Sequence, residues 1–410
     1  MQKKLVAAAV AGALGIPAVA LAQNATVNMY GRLYMEYGFV NQGSNATSTI
    51  NRVNADTIQT GGSAIGFRGE EKLGGGLSAW FQCESTADPR GGGTGNALCQ
   101  RDSALGLKGG FGNVFMGNWG TPFKRARIYT GAGDTGHFGV SGLLTGHSTT
   151  NIDGAAPQLF ARRQNNFIGY DSPVFSGFQV MGGFTATNNS TARPELSANQ
   201  KPRLWSLGAA YKNGPLKVTA AYEKHKDHLG AGATQGAAVP VVLVGGFSGS
   251  EYGWLVGGEY TFSNNLKLGG MWTRQNWDTT GVVGAPAGFV GNSRVTAWHI
   301  GMEWKISGPH AIAAAYTSAG DVKGNGLAAT GGLRPAAVVG GSTGAKMYQI
   351  RYLHALSKRT ELGVGYNAVK NDTFAAYNIN GAGGNGGNSA ATNGFGGKHS
   401  VIAVSIDHKF

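Results

Sequence analysis

The stretch EYGWLVGGEYTFSNNLKLGGMWT, Glu251 to Thr273, decides the fold class. Its first half puts Tyr252, Trp254, Val256, Tyr260 and Phe262 on one phase, and Leu255, Gly257, Glu259 and Thr261 on the other. Its second half puts Leu266, Leu268 and Trp272 against Lys267, Gly269 and Thr273. A period of two sustained this long marks extended strands with one apolar face and one polar or small face. Only Ser263, Asn264 and Asn265 separate the halves, too short a link for anything but antiparallel neighbours.

The same alternation recurs in AWHIGMEWK (297–305), KMYQIRYL (346–353) and TELGVGYNAV (360–369). The connections alternate too. GEEKLGGG, KGGFGN, SPVFSG, NGP, SNN, SGP and LSKR are short, and between them lie long runs rich in Gly, Ser, Asn and Thr. Strand-like segments, beginning with 27–38 and 57–68 and ending with 399–410, number about sixteen. Short turns at one end and long loops at the other describe an all-β, transmembrane antiparallel β-barrel. Hydrocarbon offers backbone groups no partner, so an open sheet edge is not viable and the sheet must close. A sixteen-stranded cylinder is wide enough for an aqueous channel. A soluble sandwich also alternates, but it would bury Trp254, Trp272, Trp298 and Trp304 in a core. Its inward faces would also be bulkier than these lines of Gly, Ala and Ser.

The N-terminus agrees with export. Lys3 and Lys4 precede an apolar run from Leu5 to Leu21, followed by the small-x-small site Ala20-Leu21-Ala22. This is the pattern of a cleaved signal peptide over 1–22, which leaves 23–410 as a single barrel domain. An uncleaved anchor is the competing reading. Gly is 70 of 410 residues and charged residues are 13%, against ordinary shares of about 7% and about 25%. Losing Lys3 and Lys4 lowers the net charge from +13 to +11. Export and the lack of dense Lys/Arg runs argue against nucleic acid, leaving a membrane surface or small anions as partners. Cys83 and Cys99 bracket a loop-like segment, and two cysteines in an exported chain point to one disulfide closing it. Two free thiols are the alternative. A metal site is disfavoured, since no histidine lies near them.

Taken in order, VNMYGRLYMEYG (27–38), SAIGFRGEEKLGGGLSAWFQCE (63–84), LGLKGGFGNVFMGNWGTPF (105–123), YDSPVFSGF (170–178), ALSKRTELGVGY (355–366) and DHKF (407–410) resemble the Gram-negative general porins, particularly the β-proteobacterial ones. The resemblance implies a homotrimer of barrels in the outer membrane, in contact with lipid and lipopolysaccharide. It implies passive diffusion of small hydrophilic solutes, with no catalysis and no cofactor. It also implies a third external loop, about 120–158, that folds inward as a constriction. Basic residues are expected on the wall facing that loop, and the matching motifs carry Arg32, Arg101 and Arg163. Lys217, Lys346 and Arg351 are further inward candidates, and Arg68, beside a short turn, reads as structural. The chain departs from the family where Ala64 and Gly169 stand at common arginine positions and Lys72 at a common acid. Arg52 compensates only if its strand reaches deep enough. The loop holds Lys124, Arg125 and Arg127 against Asp134 and Asp153. A basic loop, basic walls and a positive chain together predict anion preference.

The terminal stretch VIAVSIDHKF (401–410) sets Ile402, Val404, Ile406 and Phe410 on one face and reads as the strand that closes the barrel. The resemblance makes Phe410 a signal for the barrel-assembly machinery. Two rivals stand beside the diffusion pore. An outer-membrane enzyme has only the weak matches GGSTG (340–344) and GAGGNG (381–386), in loop-like sequence that lacks the context either motif needs. His225 and His228 read as a solvated strand end. A substrate-specific channel for sugars or organic anions would line the lumen with aromatics. The plain Trp positions fall on the lipid phase, which leaves Phe123, Tyr129, Phe138 and Phe160 near the loop as candidates.

Overall fold

The computed structural model describes residues 26–41, 54–91, 98–133, 136–145, 160–185, 203–226, 250–278, 292–324, 342–373, 375, 377, 379 and 396–410. The expected signal segment 1–22, Arg52, Asp134, Asp153, His228 and the GAGGNG match lie outside them.

The strands are β1 (Thr26–Asn41), β2 (Ala55–Gln59), β3 (Ala64–Gly74), β4 (Leu77–Thr86), β5 (Ser103–Gly109), β6 (Gly112–Gly120), β7 (Arg163–Asp171), β8 (Phe178–Thr185), β9 (Arg203–Asn213), β10 (Leu216–Lys226), β11 (Ser250–Thr261), β12 (Leu266–Asp278), β13 (Asn292–Ser307), β14 (His310–Ala319), β15 (Lys323–Gly324), β16 (Ala345–Ala355), β17 (Thr360–Asn371) and β18 (Gly397–Lys409). All belong to one antiparallel sheet, and β18 pairs back onto β1 from Arg32↔Lys409 to Asn41↔Ser400. Two of the eighteen are continuations of a neighbour. β2 and β3 pair with successive parts of β1, Glu36–Val40 and Thr26–Arg32, and so form one interrupted barrel strand. β14 and β15 both pair with β13 in the same way. The result is a closed barrel of sixteen strands. Closure satisfies the backbone in the only way hydrocarbon allows.

The hairpin that opened the sequence reading is β11–β12, with Trp254↔Arg274 and Val256↔Trp272 in register. Tyr252, Trp254, Val256, Tyr260, Leu268 and Trp272 are exposed on the outer face, whereas Leu255, Met271 and Thr273 are buried inside. Outer rings also pack across strands: Trp254 lies 4.5 Å from Tyr222, and Trp298 lies 5.1 Å from Tyr316. Such cross-strand aromatic pairs reinforce register on the lipid side.

One boundary differs from the sequence expectation. The strand expected at 57–68 breaks at 60–63 and then runs on through Glu70, Glu71 and Lys72 to Gly74. The turn needs only Gly74, Gly75 and Gly76, at φ of +88°, +58° and +78°, a left-handed run that glycine alone adopts cheaply. Glu70 and Lys72 therefore stay in the ladder, opposite Trp80 and Ser78.

The buried apolar side chains lie inside the barrel, between an inserted loop and the wall. Phe123, Ile128, Phe138, Val140, Leu143, Leu144 and Phe160 pack with Leu255, Met271, Met347, Val369 and Val401. Each large apolar side chain so buried contributes about 1.5–3 kcal/mol. This core holds the loop to the wall.

Candidate functional site

The inserted loop leaves β6 at Thr121, whose side chain caps the short helix α1 (Pro122–Arg125) by accepting from Lys124 N at 3.3 Å. From there its described residues follow the inner wall strand by strand. Phe123 N donates to Ser206 Oγ on β9 (3.1 Å), and Thr219 Oγ1 on β10 donates to Ala126 O (2.6 Å). Thr130 bonds Glu259 of β11 (3.1 Å), and its carbonyl meets His299 Nε2 of β13 at 2.9 Å. Gly131 N donates to Glu303 (3.3 Å). At the far side, the His137 N–H donates to Glu36 of β1, the His137 carbonyl accepts from Asn367 of β17, and Phe138 O accepts from Gln349 of β16 at 3.0 Å. The loop then doubles back. Helix α2 (Ser141–Leu144) ends with Leu144 O accepting from Thr273 (2.7 Å) and Gln275 (2.8 Å) of β12. Wall side chains thus satisfy the backbone of an irregular segment at membrane depth, as such a segment requires. The glycines permit close approach: a Cβ on Gly301 would sit 1.8 Å from Thr130 O.

These contacts place the described loop against the wall from β9 round to β2. The rest of the wall runs from β3 to β8, and the loop meets it through Arg125 and Asp171 of β7. On that side the structure pairs the charges. Arg101 Nε donates to Glu84 at 2.6 Å, and Arg163 Nη2 donates to Asp102 at 3.1 Å. Arg125 of the loop grips Asp171 with two bonds, 2.7 and 2.9 Å. Glu70 accepts from both Lys72 and Lys108. Arg32, nearer the short-turn end, donates to Asp407 at 2.8 Å and stacks over Tyr34. Arg127 donates to Lys124 O (2.9 Å) and lies over Tyr129. Arg68 differs. It is exposed on the same phase as Gly66 and Glu70, its guanidinium lies 5.0 Å from the Tyr30 ring, and no carboxylate pairs with it among the described residues. Arg351 likewise stacks on Phe138 and donates to Gly131 O at 3.4 Å. At the long-loop end, burial and then neighbouring Asp321 raise the Asp372 carboxyl above its ordinary range.

The structure therefore brings Arg101, Arg163, Lys124 and Arg125 to the loop's entry and exit, and sets Arg32 apart from them. Several expectations change. Lys346 shares its phase with exposed Tyr348 and Ile350 and faces outward. His225 is not solvated: its phase points inward, where Glu223 and Glu251 hold its two ring nitrogens at 2.9 and 2.8 Å under the stacked ring of Phe160. Ser342 of the GGSTG match lies in the lead-in to β16, with no strand–turn–helix around it. Phe123, Phe138 and Phe160 are buried anchors of the loop, so they do not line a slide.

The aromatic lining lies elsewhere. Trp80, Phe115, Trp119 and Phe167 form one cluster on the inner face of β4–β7, with centroids 5.3 to 6.4 Å apart. Three of the four rings cover a glycine of the next strand: Trp80 covers Gly106, Phe115 covers Gly169, and Phe167 covers Gly183. Gly169, one of the two positions where the resemblance led arginine to be expected, is thus a seat for Phe115. Trp80 was not singled out in the sequence and Arg68 was expected to be structural, although the signal for an inward position was present in both. Trp80 shares its phase with Gln82 and Glu84, and Arg68 shares its phase with Glu70; exposed Phe67 and Phe81 fix the lipid side of both strands.

The Gram-negative porin family model matches residues 6–373, and the chain belongs to that family. Porins are passive channels rather than enzymes, and the chain is an integral outer-membrane barrel. It is similar to the major outer membrane protein P.IB of Neisseria gonorrhoeae, 31% identical over 48% of this chain and 51% of that one. The chain thus spans about half the length of that relative. An outer membrane porin of Bordetella pertussis is 26% identical over 91% of this chain and 96% of its own. Among solved structures, an anion-selective porin from Comamonas acidovorans superposes with a TM-score of 0.66 at 21% identity, covering 94% of this chain and all of that one. At that identity the likeness is one of fold.

Proposed function

We propose that the protein is a passive diffusion channel for small hydrophilic solutes, with a preference for anions. The observation that carries the preference is the charge balance beside the opening. Glu70, Glu84, Asp102 and Asp171 are all engaged by cations, and among the described residues Arg68 has no carboxylate of its own. Paired acids attract passing cations weakly. The excess positive charge in a low-dielectric passage concentrates counter-ions. The Comamonas acidovorans porin of like fold is described as anion-selective, in keeping with this reading. Arg101, Arg163, Lys124, Arg125 and Arg127 shape the field around the loop, and guanidinium groups keep their charge at any physiological pH. A homotrimer belongs to the same proposal, since a solved outer membrane protein of Vibrio cholerae with a similar fold is described in a trimer form.

Reversal potentials across a potassium chloride gradient test the preference in a planar bilayer. Chloride should be the more permeant ion; potassium more permeant than chloride would overturn the proposal.

A further inference from the structure

We infer that Trp80, Trp119 and Arg68 form a binding subsite for small aromatic carboxylates on the lumenal wall. The inference rests on the channel reading above.

Phe115 and Phe167 are fully covered and serve as a floor, whereas Trp80 and Trp119 are only half-buried. The two indoles stand 5.6 Å apart, edge to face. They sit on the inner face of β4 and β6, and the loop reaches this side of the wall through Arg125, which bonds Asp171 of β7. Arg68 is the diagonal cross-strand neighbour of Trp80: Glu70 stands opposite Trp80, and Arg68 stands opposite Gln82. Diagonal neighbours on one face lie about 7–8 Å apart, about the span from a benzene ring to its carboxylate's cation. The Arg68 guanidinium lies over the Tyr30 ring, 5.0 Å from its centroid. The cation is therefore positioned without being neutralised.

The polar groups around the rings decide the class of ligand. A sugar site needs free hydrogen-bonding side chains beside its ring to meet the hydroxyls. Here they are engaged. Trp80 Nε1 donates to Asn113 at 2.7 Å, and Gln82 donates to Asp102 O at 2.8 Å. Glu84 accepts from Tyr30 and Arg101, and Glu70 accepts from two lysines. What remains available is aromatic surface and one guanidinium. That combination suits a flat ring carrying a carboxylate, stacked on indole and oriented by arginine.

The test is single-channel chloride current in a planar bilayer with benzoate as the probe, read as a fraction of each channel's own current. Cyclohexanecarboxylate has the same charge and nearly the same size without the π face. Benzyl alcohol has the ring without the charge. Benzoate should reduce the current saturably, and about threefold to tenfold more strongly than either control. Trp119→Leu keeps apolar volume and should weaken benzoate block to the level of cyclohexanecarboxylate, while Trp119→Phe should restore most of it. Arg68→Gln should bring benzoate down to the level of benzyl alcohol. Equal block by benzoate and cyclohexanecarboxylate would overturn the subsite, as would benzoate block unchanged in Trp119→Leu. The reversal potential of the unmodified channel is measured in the same bilayer without benzoate, so a failed anion preference and a failed subsite are read separately.

Discussion

Arg163 shares its charge with Asp102, and that pairing sets what its replacement does. Arg163→Glu removes one cation and leaves two carboxylates side by side at the loop's exit. The chloride-to-potassium permeability ratio should fall about twofold or more, while the barrel still migrates as a folded species in unheated gels. No change in reversal potential would remove Arg163 from the ion path. Arg68→Gln deletes one charge that no acid among the described residues pairs with, so it should shift the ratio in the same direction by less. Cys83 and Cys99 are bonded, with Cα atoms 4.6 Å apart. The bond closes a short external segment and no part of the barrel wall beyond β4. Cys83→Ser should therefore leave barrel insertion intact and hasten tryptic cleavage at Arg90, although Arg90 keeps its bonds to Asp88 and Ile58 O. The local restraint lost is about 3 kcal/mol by chain entropy. Equal cleavage rates would show that the segment is held by those bonds instead.

At the scale of elements, the inserted loop is fixed by what the wall lacks. Gly301 leaves room for Thr130 O at a distance no side chain would permit, and His299 Nε2 then clasps the same carbonyl. Gly301→Val should push the Thr130–Gly131 segment into the passage and lower single-channel conductance, with strand content by circular dichroism unchanged. Conductance equal to the parent's would show the loop already stands clear. Most of the strands were legible because lipid imposes a strict period of two: β11, β12 and β16 fall within two residues of their expected bounds. The interruption between β2 and β3 did carry a mark, the Gly61-Gly62 pair with Gly62 at φ +78°, which a single strand over 57–68 runs straight through. The site was legible only in part. Motifs pointed to Arg101 and Arg163, but their carboxylate partners come from positions up to 61 residues away, and only register brings those together. Trp80 lies outside the long alternating runs that place Trp254, Trp272, Trp298 and Trp304, and only its phase with Gln82 and Glu84, opposite exposed Phe81, turns it inward.

At the scale of the molecule, closure depends on the β1–β18 seam. Phe410 exchanges two backbone bonds with Gly31, each 3.1 Å, and its ring lies over the space a Gly31 side chain would fill. If that ring only packs the seam, Phe410→Ala should insert normally and melt at lower temperature. If it is also the address read by the assembly machinery, unfolded chain should accumulate in the periplasm. Fractionation of cells expressing the variant separates the two.

The many clasps between wall and loop have a kinetic meaning. A segment whose carbonyls are held by Gln349, Asn367, Thr273, Gln275 and His299 is not a hinged flap. The edge that these described residues give the passage should then keep a constant bore. Ion flux through it should rise on warming no faster than the mobility of the same ions in bulk water.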